Sequence, residues 1–274
     1  MHSINTNTGA MIALQNLNAT SNALQNVQNI ISTGLRVASA KDDGATYAIA
    51  QSQRSDVSSL DAVKDSLNRG SSVVDVALSA GDSVTDLLSQ MKDKALAASD
   101  TSLDTTSRKA YATDFQSLRD EITSTLANAS FNGINILDGS KTSITALANA
   151  GGTSVLTVAG ENMSLGGSIV TVATTATFAS ATSASNLLTT LDTSISNVSA
   201  ALAKLGTSSK ALASHMTFVG KLQDAINQGI GNLVDADMAS ESAQLQALQT
   251  KQQLGVQALS IANQSTSTVL SLFR

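Results

Sequence analysis

The chain from Val234 to Arg274 reads VDADMASESAQLQALQTKQQLGVQALSIANQSTSTVLSLFR, and this stretch decides the fold. Its apolar residues recur at helical spacing, several of them at intervals of seven, which is typical of a helix that packs along another helix. One stripe consists of Leu245, Leu248, Leu259, Ala262 and Val269. A second stripe consists of Leu254, Ala258, Ile261 and Leu272. Two apolar stripes predict neighbours on more than one side of this helix.

The N-terminal stretch, residues 1–35, has a similar pattern and contains no Asp, Glu, Lys or Arg. Its candidate packing residues are Leu17, Leu24 and Ile31 at intervals of seven, with Met11, Leu14, Val27 and Ile30 beside them. In an array of identical copies every charge recurs at each contact, so a charge-free face avoids repulsion between like charges. Two disordered polar tails are the alternative. The leucine periodicity favours terminal helices that fold on assembly.

Composition excludes several classes of protein. The net charge of −5 provides no basic surface for nucleic acid, and the absence of cysteine excludes disulfides and thiolate metal sites. No apolar run is long enough to cross a bilayer, and we expect no removable secretory signal at the N-terminus. The absence of proline suits long uninterrupted helices and rapid folding.

Heptad repeats predict two long helices. The first runs from about Ala45 to Ala98, and at 1.5 Å per residue it would be roughly 80 Å long. Its two stripes are Leu60, Leu67, Val74, Gly81, Leu88 and Ala95, and Val63, Gly70, Ala77, Val84, Met91 and Ala98. The second begins near Ala184 and carries Leu191, Val198, Leu205, Leu212, Val219, Ile226 and Leu233. A second stripe, Leu188, Ile195, Leu202, Met216 and Ile230, completes the seam and is interrupted by Ser209 and Gln223. We expect the stretch from Gly206 to Ser209 to loosen or kink the helix.

A shorter helix and a β-rich segment lie between the two long helices. The helix follows a loop, Ser99 to Ser107, and we expect it to fold back on the first long helix as a hairpin. Its apolar positions are Tyr111, Phe115, Leu118, Ile122 and Ala129. Next, Asn132-Gly133 predicts a tight turn. The runs SVLTVAG and SIVTVATTATFA, within residues 140–185, predict small solvent-facing β-hairpins with a poorly fixed register.

The predicted fold is therefore mainly α: an elongated antiparallel helical rod, a coiled-coil-like bundle, with terminal helices and a small β-hairpin region in the middle of the chain. Residues 1–35 and 235–274 would form the terminal helices. Residues 36–130 and 186–234 would form the rod domain, and residues 131–185 the small surface region.

The connector between the first two helices, Thr33 to Ala50, reads TGLRVASAKDDGATYAIA. Arg36 is the first charged residue of the chain apart from the terminus, and it is either a solvated loop arginine or the anchor of a subunit contact. Asp42 and Asp43 sit where a helix begins, which favours capping or solvated charge over acid–base chemistry.

No pattern indicates an enzyme, a cofactor or a metal. His2 and His215 are the two histidines and are far apart in the sequence, which does not suggest a zinc site. Asp235 and Asp237 also lie at a helix connector. The sequence has no phosphate-binding P-loop, no G-x-G-x-x-G and no G-x-S-x-G. We therefore expect a structural protein without a catalytic centre.

Both ends of the chain resemble bacterial flagellins, and the short middle is similar to the reduced outer region of alphaproteobacterial flagellins, the short type. The matching segments are Ser3 to Asn7, Thr33 to Ala50, Phe131-Asn132-Gly133 with Leu137-Asp138-Gly139, and Asp235 to Arg274 with Leu254-Gly255 and Ala262-Asn263-Gln264. The resemblance covers roughly the first 140 and the last 85 residues.

The resemblance implies a structural subunit that polymerises into the extracellular flagellar filament for swimming. It implies export of the unfolded chain and assembly at the distal tip, with the terminal helices in an inner tube. The implied partners are copies of the same chain, other flagellins, an export chaperone, the export apparatus, and cap and hook-associated proteins, with no nucleic acid and no membrane. An axial junction protein and a secreted adhesin are the alternatives.

Two departures from the family pattern stand out. Ser265-Thr266 follow Asn263-Gln264, where the family has a proline. The stretch Gln90 to Leu96, QMKDKAL, lacks the first arginine of the family's Toll-like receptor motif Q-R-V-R-E-L-A. The resemblance therefore implies weak or absent activation of that receptor.

Overall fold

The computed structural model describes residues 6–271, with side chains described as far as residue 264. Within that range the protein has five helices and one two-stranded antiparallel sheet. The helices are α1 (Thr8–Thr33), α2 (Gly44–Ala98), α3 (Thr105–Asn128), α4 (Ala181–Val234) and α5 (Met238–Ser271), and the strands are β1 (Ser143–Leu147) and β2 (Val155–Ala159). The expectation of a mainly helical chain is confirmed.

Helix α2 follows its heptad pattern from Leu60 to Ala98. Both predicted stripes, from Leu60 to Ala95 and from Val63 to Ala98, are buried at every position. Gly81 belongs to this face because a side-chain carbon added there would lie 2.5 Å from Leu202 Cδ2. The glycine therefore allows α4 to approach α2 closely.

Helix α4 is one uninterrupted helix, so the stretch between Gly206 and Ser209 does not break it. Backbone hydrogen bonding along a helix needs no apolar side chain, so polar residues in the stripe do not break it. The other interruption, Gln223, is buried, and its Nε2 donates to Val57 O at 3.0 Å and to Asp61 Oδ1 at 2.7 Å. This polar residue packs in the stripe because its amide is satisfied.

Helix α3 folds back on α2, as predicted. The carboxylate of Asp104 caps its N-terminus by accepting from the amides of Thr106 and Ser107. Across the hairpin, Lys94 Nζ lies 2.8 Å from Asp114 Oδ2. The Arg108 guanidinium donates to Ala98 O at the end of α2.

The middle segment differs from the prediction. β1 and β2 form one hairpin in defined register, Ser143 opposite Ala159, whereas SIVTVATTATFA, residues 168–179, forms no strand. Val170, Val172 and Phe178 in that run are buried, while most of its other residues are exposed, so the run is solvent-facing on one side and packed on the other. The alternating apolar and polar residues of this run belong to an irregular segment that packs on helices. The backbone groups of the segment bond to helix side chains instead of to a second strand.

Three side chains illustrate that attachment. Ser194 Oγ accepts from the Thr171 amide at 3.0 Å, and Asn197 Nδ2 donates to Ser168 O at 3.2 Å. On α3, Arg119 Nη1 donates to Ala176 O at 3.1 Å.

The chain divides into two compact units. The first unit comprises residues 1–55 and 224–274, and the second comprises residues 56–223. The first unit is therefore larger than the predicted terminal segments, residues 1–35 and 235–274. It also includes the start of α2, as far as residue 55, and the end of α4, from residue 224.

Candidate assembly surface

Helices α1 and α5 pair in antiparallel orientation within the first unit. At one end, Asn7 Nδ2 donates to Ala262 O at 2.8 Å. Halfway along, Gly255 of α5 lies close to Leu17 of α1. A side-chain carbon added at this glycine would be 3.2 Å from Leu17 Cδ1. At the other end, Leu35 and Asp235 form an antiparallel bridge.

The sides of α1 and α5 that face each other form what we call the inner face. Leu24, Val27 and Leu248 are buried there, with Ala23, Ile31 and Leu245 packed against them. Leu17, Leu259 and Ala262 are half-buried on the same side. The first predicted stripe of α5 therefore packs against α1, while the side chain of its last member, Val269, lies outside the described residues.

The exposed surface of the two helices forms what we call the outer face, which carries large exposed apolar residues. Ile261 is 68% exposed and Met11 is 64% exposed. The further members are Ile12, Leu14, Leu254 and Val256. Leu254 and Ile261 come from the second predicted stripe, which therefore has no partner within the described residues of the chain. Its last member, Leu272, lies outside the described residues.

The sequence pattern missed Ile12 and Val256. Both are apolar, but neither falls on the seven-residue repeat that drew attention to its neighbours. Counting every apolar residue of α1 and α5, including those outside the repeat, would have identified both. A helix surrounded by neighbours buries apolar residues at more positions than the heptad repeat includes.

Arg36 bonds within its own chain. Its Nη2 donates to Leu233 O at 2.7 Å, and its backbone amide donates to Val234 O at 2.7 Å. The carbonyls at the C-terminus of α4 lack helical partners and carry partial negative charge, so a guanidinium stabilises them. The Ala236 amide completes the junction by donating to Gly34 O.

Asp42 and Asp43 have separate roles in the connector. Asp42 Oδ2 accepts from the amides of Ala38 and Ser39 and so closes the loop. Asp43 Oδ1 accepts from the amides of Ala45 and Thr46 at the start of α2. The Thr46 hydroxyl, which donates to Asp43 Oδ2, is the largest cause of the lowered pKa of that carboxyl, and the Thr46 amide is the next. Asp43 therefore caps α2, whereas Asp42 bonds within the connector.

The predicted turn lies in the second unit, away in sequence from the other predicted site residues. Asn132 and Gly133 have positive φ angles of 51° and 76°. Phe131 and Ile134 exchange two backbone hydrogen bonds of 3.0 Å across the turn. This is the two-residue geometry that favours Asn-Gly.

Among the described residues, no group of three or more His, Asp or Glu side chains is placed to hold a metal ion. His215 is instead hydrogen-bonded through Nε2 to Ala148 O at 2.8 Å, whereas His2 lies outside the described residues. No described helix combines the length and apolarity needed to cross a membrane.

Comparison with known proteins gives matches at both ends of the chain. The bacterial flagellin N-terminal helical region matches residues 4–142, and the bacterial flagellin C-terminal helical region matches residues 188–273. The chain is 58% identical over 274 residues to flagellin FljK of Caulobacter vibrioides, covering 100% of this chain and 99% of the relative. It is 38% identical over 283 residues to a flagellin of Brucella melitensis, covering 100% of both.

A solved structure gives independent support for the fold. A putative flagellar hook-associated protein from Vibrio parahaemolyticus is similar with a TM-score of 0.56 at 16% identity, covering 71% of this chain and 100% of that protein. With both terminal regions matched and full-length identity to alphaproteobacterial flagellins, the chain belongs to the bacterial flagellin family and is a structural subunit of the extracellular flagellar filament, not an enzyme.

Proposed function

We propose that the chain polymerises by burying the outer face of α1 and α5, formed by Met11, Ile12, Leu14, Leu254, Val256 and Ile261, against neighbouring copies. In this proposal residues 1–35 and 235–274 form the inner tube of the filament. Residues 36–130 and 186–234 form the layer around it, and residues 131–185 lie at the surface.

The observation that carries the proposal is the imbalance between the two faces. In the described parts of α1 and α5, the buried apolar side chains are Leu24, Val27 and Leu248, while the outer face leaves six large apolar residues exposed. Burying each of those residues fully would contribute about 1.5–3 kcal/mol. This gain offsets the entropy lost when the two helices become ordered in the filament.

The lack of charge on these helices supports contacts between identical copies. Residues 1–35 contain no Asp, Glu, Lys or Arg, and between Glu241 and Arg274 the sole charged residue is Lys251. Neutral Asn and Gln side chains donate and accept hydrogen bonds, so they can meet copies of themselves without like-charge repulsion.

We also propose that the chain is exported unfolded, held by an export chaperone, and added at the distal tip beneath a cap, with hook-associated proteins as further partners. The small α1–α5 core supports this route, since few buried contacts must be broken to unfold these helices. The absence of proline removes slow isomerisation steps after delivery.

The experiment pairs two double variants of α5. Replacing Leu254 and Ile261 with serine removes apolar surface from the outer face. Replacing Gln253 and Gln257, which are also exposed, with serine is the matched control. Seeded polymerisation followed by sedimentation and electron microscopy gives the monomer concentration left at equilibrium.

We expect the L254S/I261S variant to leave at least about thirtyfold more monomer, because Leu254 and Ile261 are 58% and 68% exposed and about 2–4 kcal/mol of burial is lost. The Q253S/Q257S control should polymerise like the unmodified chain. Equal polymerisation of both variants would contradict the proposal.

A further inference from the structure

The exposed face of α4 in the second unit carries lysines and an exposed phenylalanine, and we call it the lysine face. Residues 193–223 contain three lysines and no Asp or Glu. Lys204 pairs with Glu161, with 3.2 Å between Nζ and Oε1, whereas Lys210 and Lys221 are exposed and form no ion pair among the described residues. Phe218, which lies between these two lysines in sequence, is 55% exposed.

Neighbouring side chains hold this face in place. The rings of His215 and Phe218 lie 5.7 Å apart between centroids, and His215 is fixed by its hydrogen bond to Ala148 O. A side-chain carbon added at Gly220 would lie 4.0 Å from Lys64 Cε, so a third cation adjoins the face. Aromatic residues, phenylalanine included, are enriched at protein interfaces, so we treat the exposed ring of Phe218 as a candidate contact residue.

Helix α2 of the same unit carries a complementary surface, which we call the acidic ridge. Its members are Asp61, Asp65, Asp75, Asp82, Asp86 and Asp93, all exposed. Their spacing places them on the exposed side of α2, with Asp61 at its edge, where its Oδ1 accepts from Gln223 Nε2. The positions between them on that side include Ser72 and Ser79, with the exposed Arg69 between Asp65 and Asp75. From Asp75 to Asp93 that side carries no Lys or Arg. None of the six forms an ion pair among the described residues.

We infer that the lysine face of α4 binds the acidic ridge of α2 on a second copy of the chain. Lys210 and Lys221 are eleven residues apart, as are Asp75 and Asp86, and Asp82 and Asp93. Eleven residues make about three helical turns, or about 16 Å, so the two lysines match the separation of a carboxylate pair. The serines leave room beside the carboxylates for the exposed ring of Phe218.

The partner is a second copy because the complementary charge lies on the same chain and the chain is a filament subunit. The two surfaces differ, so the contact is heterologous, and repeated heterologous contacts that do not close produce an open array. The inference rests on the proposed function and adds to it a second contact, outside α1 and α5, that is sensitive to salt.

The test reverses the charge of the lysine face. The K210E/K221E double variant places like charges opposite the ridge and should raise the monomer concentration left after seeded polymerisation by at least about tenfold. The K109E/K141E variant is the matched control, since it makes the same change in net charge at two other exposed lysines. It should polymerise like the unmodified chain.

A charge swap tests the identity of the partner surface. We combine K210E/K221E either with D75K/D86K or with D82K/D93K. The combination that replaces the aspartates facing residues 210 and 221 should restore polymerisation, because it again places opposite charges across the contact. Circular dichroism of each monomer checks that the helices of the second unit form. The neutral K210Q/K221Q variant avoids introducing acids and should raise the residual monomer about threefold while weakening the dependence on salt.

The outcomes separate the two proposals. If K210E/K221E polymerises like K109E/K141E, or if neither charge swap restores polymerisation, the inference is overturned while the proposed function stands. If the unmodified chain does not extend seeds, the proposed function fails instead.

Discussion

At the scale of single residues, Gly160 and Gly206 differ in what surrounds the missing side chain. A carbon added at Gly160 would overlap the backbone carbonyl of Lys141 and lie 3.1 Å from Ile136 O. Backbone atoms cannot swing aside as a side chain does, so the hairpin would have to shift. Gly206 lies inside α4 with nothing within 4 Å of the added carbon.

These surroundings predict opposite effects of the same substitution. Gly160→Ala should lower the free energy of unfolding by about 2 kcal/mol or more, because overpacking displaces the backbone. Gly206→Ala should raise it by about 0.5–1 kcal/mol, because alanine favours the helix. Urea denaturation of the two variants beside the unmodified monomer measures both changes, and a loss at Gly206 as large as that at Gly160 would contradict this reading.

Sequence patterns identified some single residues and missed the roles of others. Asn132-Gly133 was predictable because few residues tolerate positive φ angles at both positions of a turn. The capping role of Asp43 was predictable from its place before a helix. The intrachain bond of Arg36 to Leu233 was not, since it joins residues 197 positions apart in sequence.

At the scale of helices and strands, heptad periodicity was sufficient for α2 and α4. The period of their apolar residues differs from that of a strand, and it persists over many turns. The same reasoning failed for residues 168–179, whose apolar alternation suits a strand. Strand formation requires a pairing partner, and this segment bonds instead to Ser194, Asn197 and Arg119.

The cap of α3 predicts a dependence of stability on pH. The pKa of Asp104 is lowered from its ordinary value of 3.8, chiefly by the hydrogen bond from the Ser107 amide and then by the Ser107 hydroxyl. A lowered pKa means that the ionised carboxylate stabilises the folded state. That contribution is fully present above the ordinary pKa and is lost as the pH falls through the lowered value.

Asp104→Asn keeps a side-chain acceptor and removes this titration. We expect the variant to be less stable than the unmodified monomer at neutral pH, since it lacks a negative charge at the helix N-terminus. The difference should disappear as the pH falls below 3.8 and through the lowered pKa. Urea denaturation between neutral and acidic pH measures the difference, and a gap that does not change with pH would refute the assignment.

At the scale of the whole molecule, the two compact units are stabilised differently. Residues 56–223 contain long buried stripes, whereas α1 and α5 share a small inner face and leave an apolar outer face exposed. The sequence predicted both stripes of α5 from their spacing. It did not show which stripe packs inside the chain, because spacing identifies a face and not its partner.

The central claim is that α1 and α5 become stable when neighbouring copies cover their outer face. Hydrogen exchange, measured residue by residue on the dilute monomer and on the filament, tests it most directly. We predict rapid exchange in residues 8–33 and 238–264 of the monomer and exchange at least about a hundredfold slower in the filament, since the burial adds about 3 kcal/mol or more. Residues 60–98 should exchange slowly in both. Slow exchange of both terminal helices in the dilute monomer, unchanged by polymerisation, would contradict the account.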